Sequence, residues 1–303
     1  MNSDTPFLAA RQTPAHPAAV RLAHHEVNGT RIFYRSAGDP AQPAIVLLHG
    51  FPASSHMFRD LIPHLAGHFH VIAPDYPGFG HSDAPATGRF PYSFDALAGV
   101  VDGLLAHLGV DRYHLYMQDY GGPVGLRLAT AHPERVLGLV IQNANAYLEG
   151  ISPMVRDVFM PLWERGDEGP ARALLDAAVT RFQYLTGAGD PLAVSPDAWV
   201  FDQALLDRPG NAEIQLALIR DYRHNVDLYP VWHAYFRQRQ PKTLIAWGRG
   251  DPLFLVEGAE AFRGDLPAAA VHYLDGGHFV LEEHAARVAE LILRHFTPER
   301  AAG

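Results

Sequence analysis

The chain has 303 residues, 48% of them hydrophobic, enough to bury a large core in one big domain or in one domain with an insertion. A net charge of −9 with no basic run argues against a nucleic-acid partner, since such binders need a concentrated basic surface to displace counterions. Without a single cysteine, disulfides, thiolate metal sites and a cysteine nucleophile are excluded, and a reducing compartment is weakly favoured.

The first 20 residues read as a loose arm rich in Pro and Ala, without the basic start and apolar stretch of a signal peptide. No later segment approaches the roughly 18 uninterrupted apolar residues of a membrane span. A cytoplasmic protein with no membrane partner is therefore expected. The stretch HHEVNGTRIFYRSAG alternates around Asn28-Gly29, a dipeptide suited to the positive φ angles of a tight hairpin, and predicts two antiparallel strands. AIVLLHG (44–50) and HVIAPDYPG (70–78) are short continuous apolar runs of the kind covered on both faces of a parallel sheet. Between them FRDLIPHLAG (58–67) reads as a helix. Ser93 is placed to cap a helix over FDALAGVVDGLLAHLG, which Gly109 ends. A strand then climbs from Tyr113 to Asp119, followed by helix 121–132 and strand 136–142. After a long interval come strand 242–248, helix 256–265, strand 271–275 and helix 281–296. This alternation predicts an α/β protein with a mostly parallel eight-stranded sheet, right-handed crossovers and flanking helices. From 146 to 229 the pattern turns helical and rich in aromatic residues, which predicts a helical cap inserted into a core of residues 21–145 and 230–303.

Asp119 stands where a strand turns abruptly into a helix. Ligands of open parallel sheets bind at the carboxyl ends of strands, and Gly121 and Gly122 permit close approach of backbone and helix there. Position alone favours a plainer reading, an aspartate capping the helix.

The motifs taken together change that balance. They are His49-Gly50-Phe51-Pro52 after the third strand, Asp75-Tyr76-Pro77-Gly78-Phe79-Gly80-His81-Ser82 after the fourth, Gln118-Asp119-Tyr120-Gly121-Gly122 at the turn, Gly248-Arg249-Gly250-Asp251-Pro252, and Gly276-Gly277-His278-Phe279. In this order they resemble the α/β-hydrolase family over about Arg21 to Phe296, and in particular its branch with an aspartate nucleophile, which includes epoxide hydrolases and haloalkane dehalogenases. The resemblance implies an α/β-hydrolase fold with an inserted cap and a reaction through a covalent alkyl-enzyme ester on Asp119. It implies no cofactor and no metal. The expected partners are a small apolar organic substrate and water, in a monomer or homodimer.

Chemistry supports these roles. A carboxylate is already ionised at neutral pH and can attack an electrophilic carbon without first losing a proton. Ser82 is the rival nucleophile, in Gly80-His81-Ser82-Asp83-Ala84, but it lacks the strand, turn and helix of a nucleophile elbow. Of 18 histidines, His278 alone follows a strand end and a Gly-Gly turn near the C-terminus, where the order nucleophile, acid, histidine places a base for water. Asp251 is the candidate to orient it, because the position after strand 136–142 offers Gln142, Asn143 and Asn145 but no carboxylate. By resemblance the backbone amides of Phe51 and Tyr120 form the oxyanion hole and their side chains line the pocket, whereas His49 serves the geometry of its turn.

The choice of substrate is divided. Opening an epoxide needs a proton donor such as a phenol, whereas releasing a halide needs N–H donors that solvate an anion. Tyr222, in Asp221-Tyr222-Arg223-His224-Asn225, is similar to the ring-opening tyrosine of epoxide hydrolases. Phe51 also fits that group. Gln118 is instead the habit of dehalogenases, although Tyr120 replaces the tryptophan that normally follows the nucleophile in both. Phe159 and Trp163, expected to line the substrate pocket, stand where a second cap tyrosine is expected, which leaves Tyr184 in RFQYLTG as substitute. No arginine flanks Asp119 to hold a carboxylate, which discounts fluoroacetate as substrate. Epoxide hydrolysis is the leading expectation, haloalkane dehalogenation the next, and an ester-hydrolysing or non-catalytic homologue the third. The pairs His24-His25 and His68-Phe69-His70 lack carboxylates at ligand spacing and predict no metal site.

Overall fold

The computed structural model describes residues 19–297. The arm expected over 1–20 thus lies almost wholly outside the described residues. Strands β1 (Arg21–Val27) and β2 (Thr30–Ala37) form the expected hairpin, with Asn28 and Gly29 at φ 51° and 78° in its turn. The sheet continues through β3 (Ala44–Leu48), β4 (His70–Pro74), β5 (Tyr113–Gln118), β6 (Val136–Gln142), β7 (Thr243–Gly248) and β8 (Ala270–Leu274). Its eight strands lie in the order β1-β2-β4-β3-β5-β6-β7-β8. Only the pairings β1/β2 and β2/β4 are antiparallel.

The central strands β3 and β5 are buried along their whole length because both faces are covered; β3 is wholly apolar, while β5 also carries His114 and Gln118. Along β3, Val46 and Leu48 point into one core with Leu97 and Leu104 of helix α2 (Phe94–His107), while Ile45 and Leu47 enter a second core on the other face. Ser93 caps α2 through its hydroxyl, which accepts from the Ala96 amide at 3.2 Å. The helix expected over 58–67 does not form as one piece. A 3-10 turn (Ser55–Phe58) and a single turn, α1 (Ile62–Leu65), replace it. Pro63 lacks an amide hydrogen, and within a longer helix its ring would meet the carbonyl of Arg59.

After β5 comes α3 (Gly121–Ala131). Between β6 and β7 lie α4 (Pro153–Arg165), α5 (Gly169–Ala173), α6 (Ala177–Leu185), α7 (Pro196–Leu206), α8 (Asn211–Asp221) and α9 (Arg223–Arg239). The boundary expected at 229/230 falls inside α9, which runs on through Pro230 to Arg239. Helices α10 (Val256–Asp265) and α11 (Leu281–Phe296) complete the chain, and α11 shares the second core through Val288 and Ile292. No helix among the described residues is long and apolar enough to cross a membrane.

Candidate active site

The site is assembled at the carboxyl ends of β3, β5, β6, β7 and β8. Asp119 leaves β5 in the left-handed region, at φ 48°, a conformation that is uncommon outside glycine and needs surrounding structure to hold it. Its amide donates to the Asn143 carbonyl at 3.2 Å, and its own carbonyl accepts from Gly122 at 2.9 Å as α3 begins. Two glycines allow the close packing. A side chain at Gly50 would fall on that of Asp119, and one at Gly121 on the carbonyl of Leu48.

The Asp119 carboxylate has two unlike oxygens. Oδ1 accepts from the Phe51 amide at 2.7 Å, and Oδ2 lies 4.0 Å from Nε2 of His278. Burial raises the pKa of Asp119, while the charge of His278 and the Phe51 and Tyr120 amides hold it down against that rise. His278 is fully buried, and its Nδ1 donates to Oδ2 of Asp251 at 2.8 Å. Burial alone would lower its pKa. The charge and hydrogen bond of Asp251, with the charge of Asp119, outweigh this and raise it.

Asp251 is saturated with donors. Its Oδ1 accepts from the amides of Leu253 and Phe254, and its Oδ2 also accepts from Nδ2 of Asn143 at 2.8 Å. Asn143 too lies in the left-handed region, at φ 41°, and its amide side chain grips the backbone of Gly248 in both directions. Gln118 places its Nε2 3.0 Å from Nε2 of His278, and Gln142 donates to the His278 carbonyl at 3.2 Å. His49 accepts from the Tyr76 amide at Nε2, faces its own Gly50 carbonyl at Nδ1, and is lowered by burial to a pKa of about 4. Ser82 donates to the Asp75 carbonyl and accepts from Phe33, far from the chemistry of an elbow.

Above Asp119 is a cavity of about 70 Å³, whose walls include Phe51, Tyr120, Phe159, Gln183 and Tyr222 as well as Asp119 itself. Two expected residues do not reach it. Trp163 sits behind Phe159 and Tyr222 and donates its indole N–H to the Ile219 carbonyl at 2.8 Å. Tyr184 turns away, stacks on Phe279 at 3.9 Å and donates to Oδ2 of Asp202 at 2.5 Å. Successive residues of a helix point about 100° apart, so the side chain that α6 sends into the cavity is the neighbouring Gln183. Sequence reasoning missed Gln183 and also the hold of Asn143 on Asp251. For Asn143 the only signal was its place after a strand that offered no carboxylate.

Below a largely apolar cavity, a buried carboxylate thus has one oxygen on a backbone amide and the other 4.0 Å from a histidine that a second carboxylate orients. The family described as alpha/beta hydrolase fold matches residues 43–285, and the chain belongs to it. It is 42% identical, over 89% of its length and 94% of the other, to a Saccharomyces cerevisiae protein named uncharacterized hydrolase YNR064C. Over a shorter stretch, 37% of this chain and 38% of the other, it is 42% identical to haloalkane dehalogenase 2 of Mycobacterium tuberculosis. Among solved structures, the epoxide hydrolase CorEH superposes with a TM-score of 0.76 at 25% identity, covering 93% of this chain and all of that one.

Proposed function

We propose that this hydrolase opens epoxides to diols through an ester on Asp119, and that the helices between β6 and β7 cap a site for small apolar substrates. In this reading Oδ2 of Asp119 attacks a ring carbon as the ring C–O bond breaks, and the ring oxygen takes the proton of Tyr222. Oδ1 becomes the ester carbonyl oxygen. His278 then takes a proton from water, and the hydroxide adds to the ester carbon while charge builds on Oδ1 against the Phe51 and Tyr120 amides. Collapse expels the diol oxygen, which recovers the proton from His278. The carboxylic acid left on Asp119 gives its proton back to the Tyr222 phenolate, and the cycle closes.

The observation that carries the reading is the nature of the donor in the cavity. Tyr222 lines it together with Asp119, no indole among the described residues does, and the N–H of Trp163 is committed to Ile219. A phenol can deliver a proton to a departing alkoxide, whereas a halide asks for N–H solvation instead. Haloalkane dehalogenation is the second reading, favoured by Gln118 and by the local match to haloalkane dehalogenase 2.

The test is a paired assay of wild type and Tyr222→Phe on an aryl epoxide, following diol, and on a bromoalkane, following bromide. General-acid assistance is typically worth about 10² to 10⁴ in rate, so diol formation should fall at least a hundredfold. Any bromide release should change much less. Bromide without diol from the wild type would reverse the order of the two readings.

A further inference from the structure

Gln118, the last residue of β5, is fully buried and touches the nitrogen of His278 that faces Asp119. In the neutral imidazole, whose Nδ1 donates to Asp251, Nε2 carries a lone pair, and the Gln118 Nε2 at 3.0 Å is placed to donate into it. We propose that Gln118 is a positioning residue whose side-chain N–H occupies the lone pair of His278 Nε2 in the resting protein and keeps the imidazole neutral beside Asp119. The water that attacks the ester takes the amide's place at Nε2.

The other end of the amide argues for this orientation. Oε1 of Gln118 is buried with no hydrogen-bond partner among the described residues. Turned over, the side chain would bury N–H donors in that same place, and orphaned donors are rarer in proteins than under-satisfied carbonyl oxygens. The charged groups facing the imidazole are Asp251 and Asp119, both of which favour its protonation, while Phe254 and Phe279 meet it edge-on and are neutral. A donor at Nε2 is the one contact that favours the neutral ring. The consequence is chemical. A protonated His278 at 4.0 Å would form an ion pair with Oδ2 of Asp119 and blunt it as a nucleophile, and Gln118 opposes that pairing.

The kinetic consequence rests on His278 acting as the base of the proposed reaction, but the contact can be read without turnover. Full-length protein labelled with ¹⁵N-histidine is titrated by NMR, with the His278 signals assigned by their loss in His278→Gln. In Gln118→Met, similar in volume but without a donor, the His278 midpoint should rise by about half to one pH unit, the size given by one neutral hydrogen bond. Gln118→Leu gives the same direction and serves if the methionine variant does not fold. An unchanged or lowered midpoint overturns the proposal. The acid limb of the rate profile should move upward with the midpoint. A midpoint that rises while the acid limb stays put supports the hold on His278 and sinks instead the reading of His278 as the base.

Discussion

Asp119 and His278 act at different times in the proposed reaction, and single substitutions can separate them. Attack on carbon needs only the carboxylate, while release of the ester needs water activated by His278. Substrate-treated His278→Gln should therefore retain a mass increase equal to the substrate on the peptide containing Asp119, whereas Asp119→Ala should show neither adduct nor product. Intact-protein and peptide mass spectrometry decides this, and a clean His278→Gln peptide with a substrate the wild type turns over would exclude a two-step route. A second outcome concerns pH. The two carboxylates facing His278 raise its pKa above the ordinary 6.5 despite burial, and the base works only when neutral. Activity should thus fall as pH drops through a midpoint above 6.5. A rate that stays flat to well below that value would show that no such base limits turnover.

At the scale of elements, α6 and α7 are tied by a buried contact that the proposed chemistry does not use. Burial pushes Asp202 up to about 8, with Glu282 and Asp75 adding to the rise and the Tyr184 hydroxyl and Arg59 opposing it. Its second oxygen has no hydrogen-bond partner among the described residues. A carboxyl whose folded pKa lies above its unfolded value binds more protons when folded, so its contribution to stability is lost as pH rises from near 4 through about 8. Asp202→Asn keeps an oxygen to accept from Tyr184 and removes the charge. The variant should therefore lose less melting temperature than the wild type between pH 5 and pH 9, by at least ~2 °C, as calorimetry would show. Equal losses would mean that Asp202 does not titrate in this range. The same pair shows why Tyr184 was misread. The sequence of α6 carries aromatic and polar residues on several faces, and only its packing against α7 and Phe279 sets which one meets the cavity.

For the molecule as a whole, the sheet and the strand-end residues were legible for one physical reason. Strands covered on both faces are largely apolar, so polar side chains stand out where those runs stop, as Asp119 and Asp251 do after β5 and β7. The hairpin at Asn28-Gly29 and the cap at Ser93 were equally plain, since both depend on one or two residues with a strong local preference. The helices between β6 and β7 were legible as helices but not in their rotation or in where the last of them ends. Trp163 and Tyr184 are of this kind, turned by contacts with other helices at Ile219 and Asp202. Local propensity is blind to such contacts.

Asn143 has a part in the site that reaches beyond hydrogen bonding. Its carbonyl holds the amide of Asp119, and its side chain holds both Asp251 and the end of β7. One residue, just past the end of β6, therefore holds two aspartates that follow the strands on either side, β5 and β7. Their directions are geared together, so a change at 143 cannot retune one without turning the other. The wall of the cavity, at places such as Phe159 and Gln183, carries no such gearing, so its shape can change while both aspartates keep their aim.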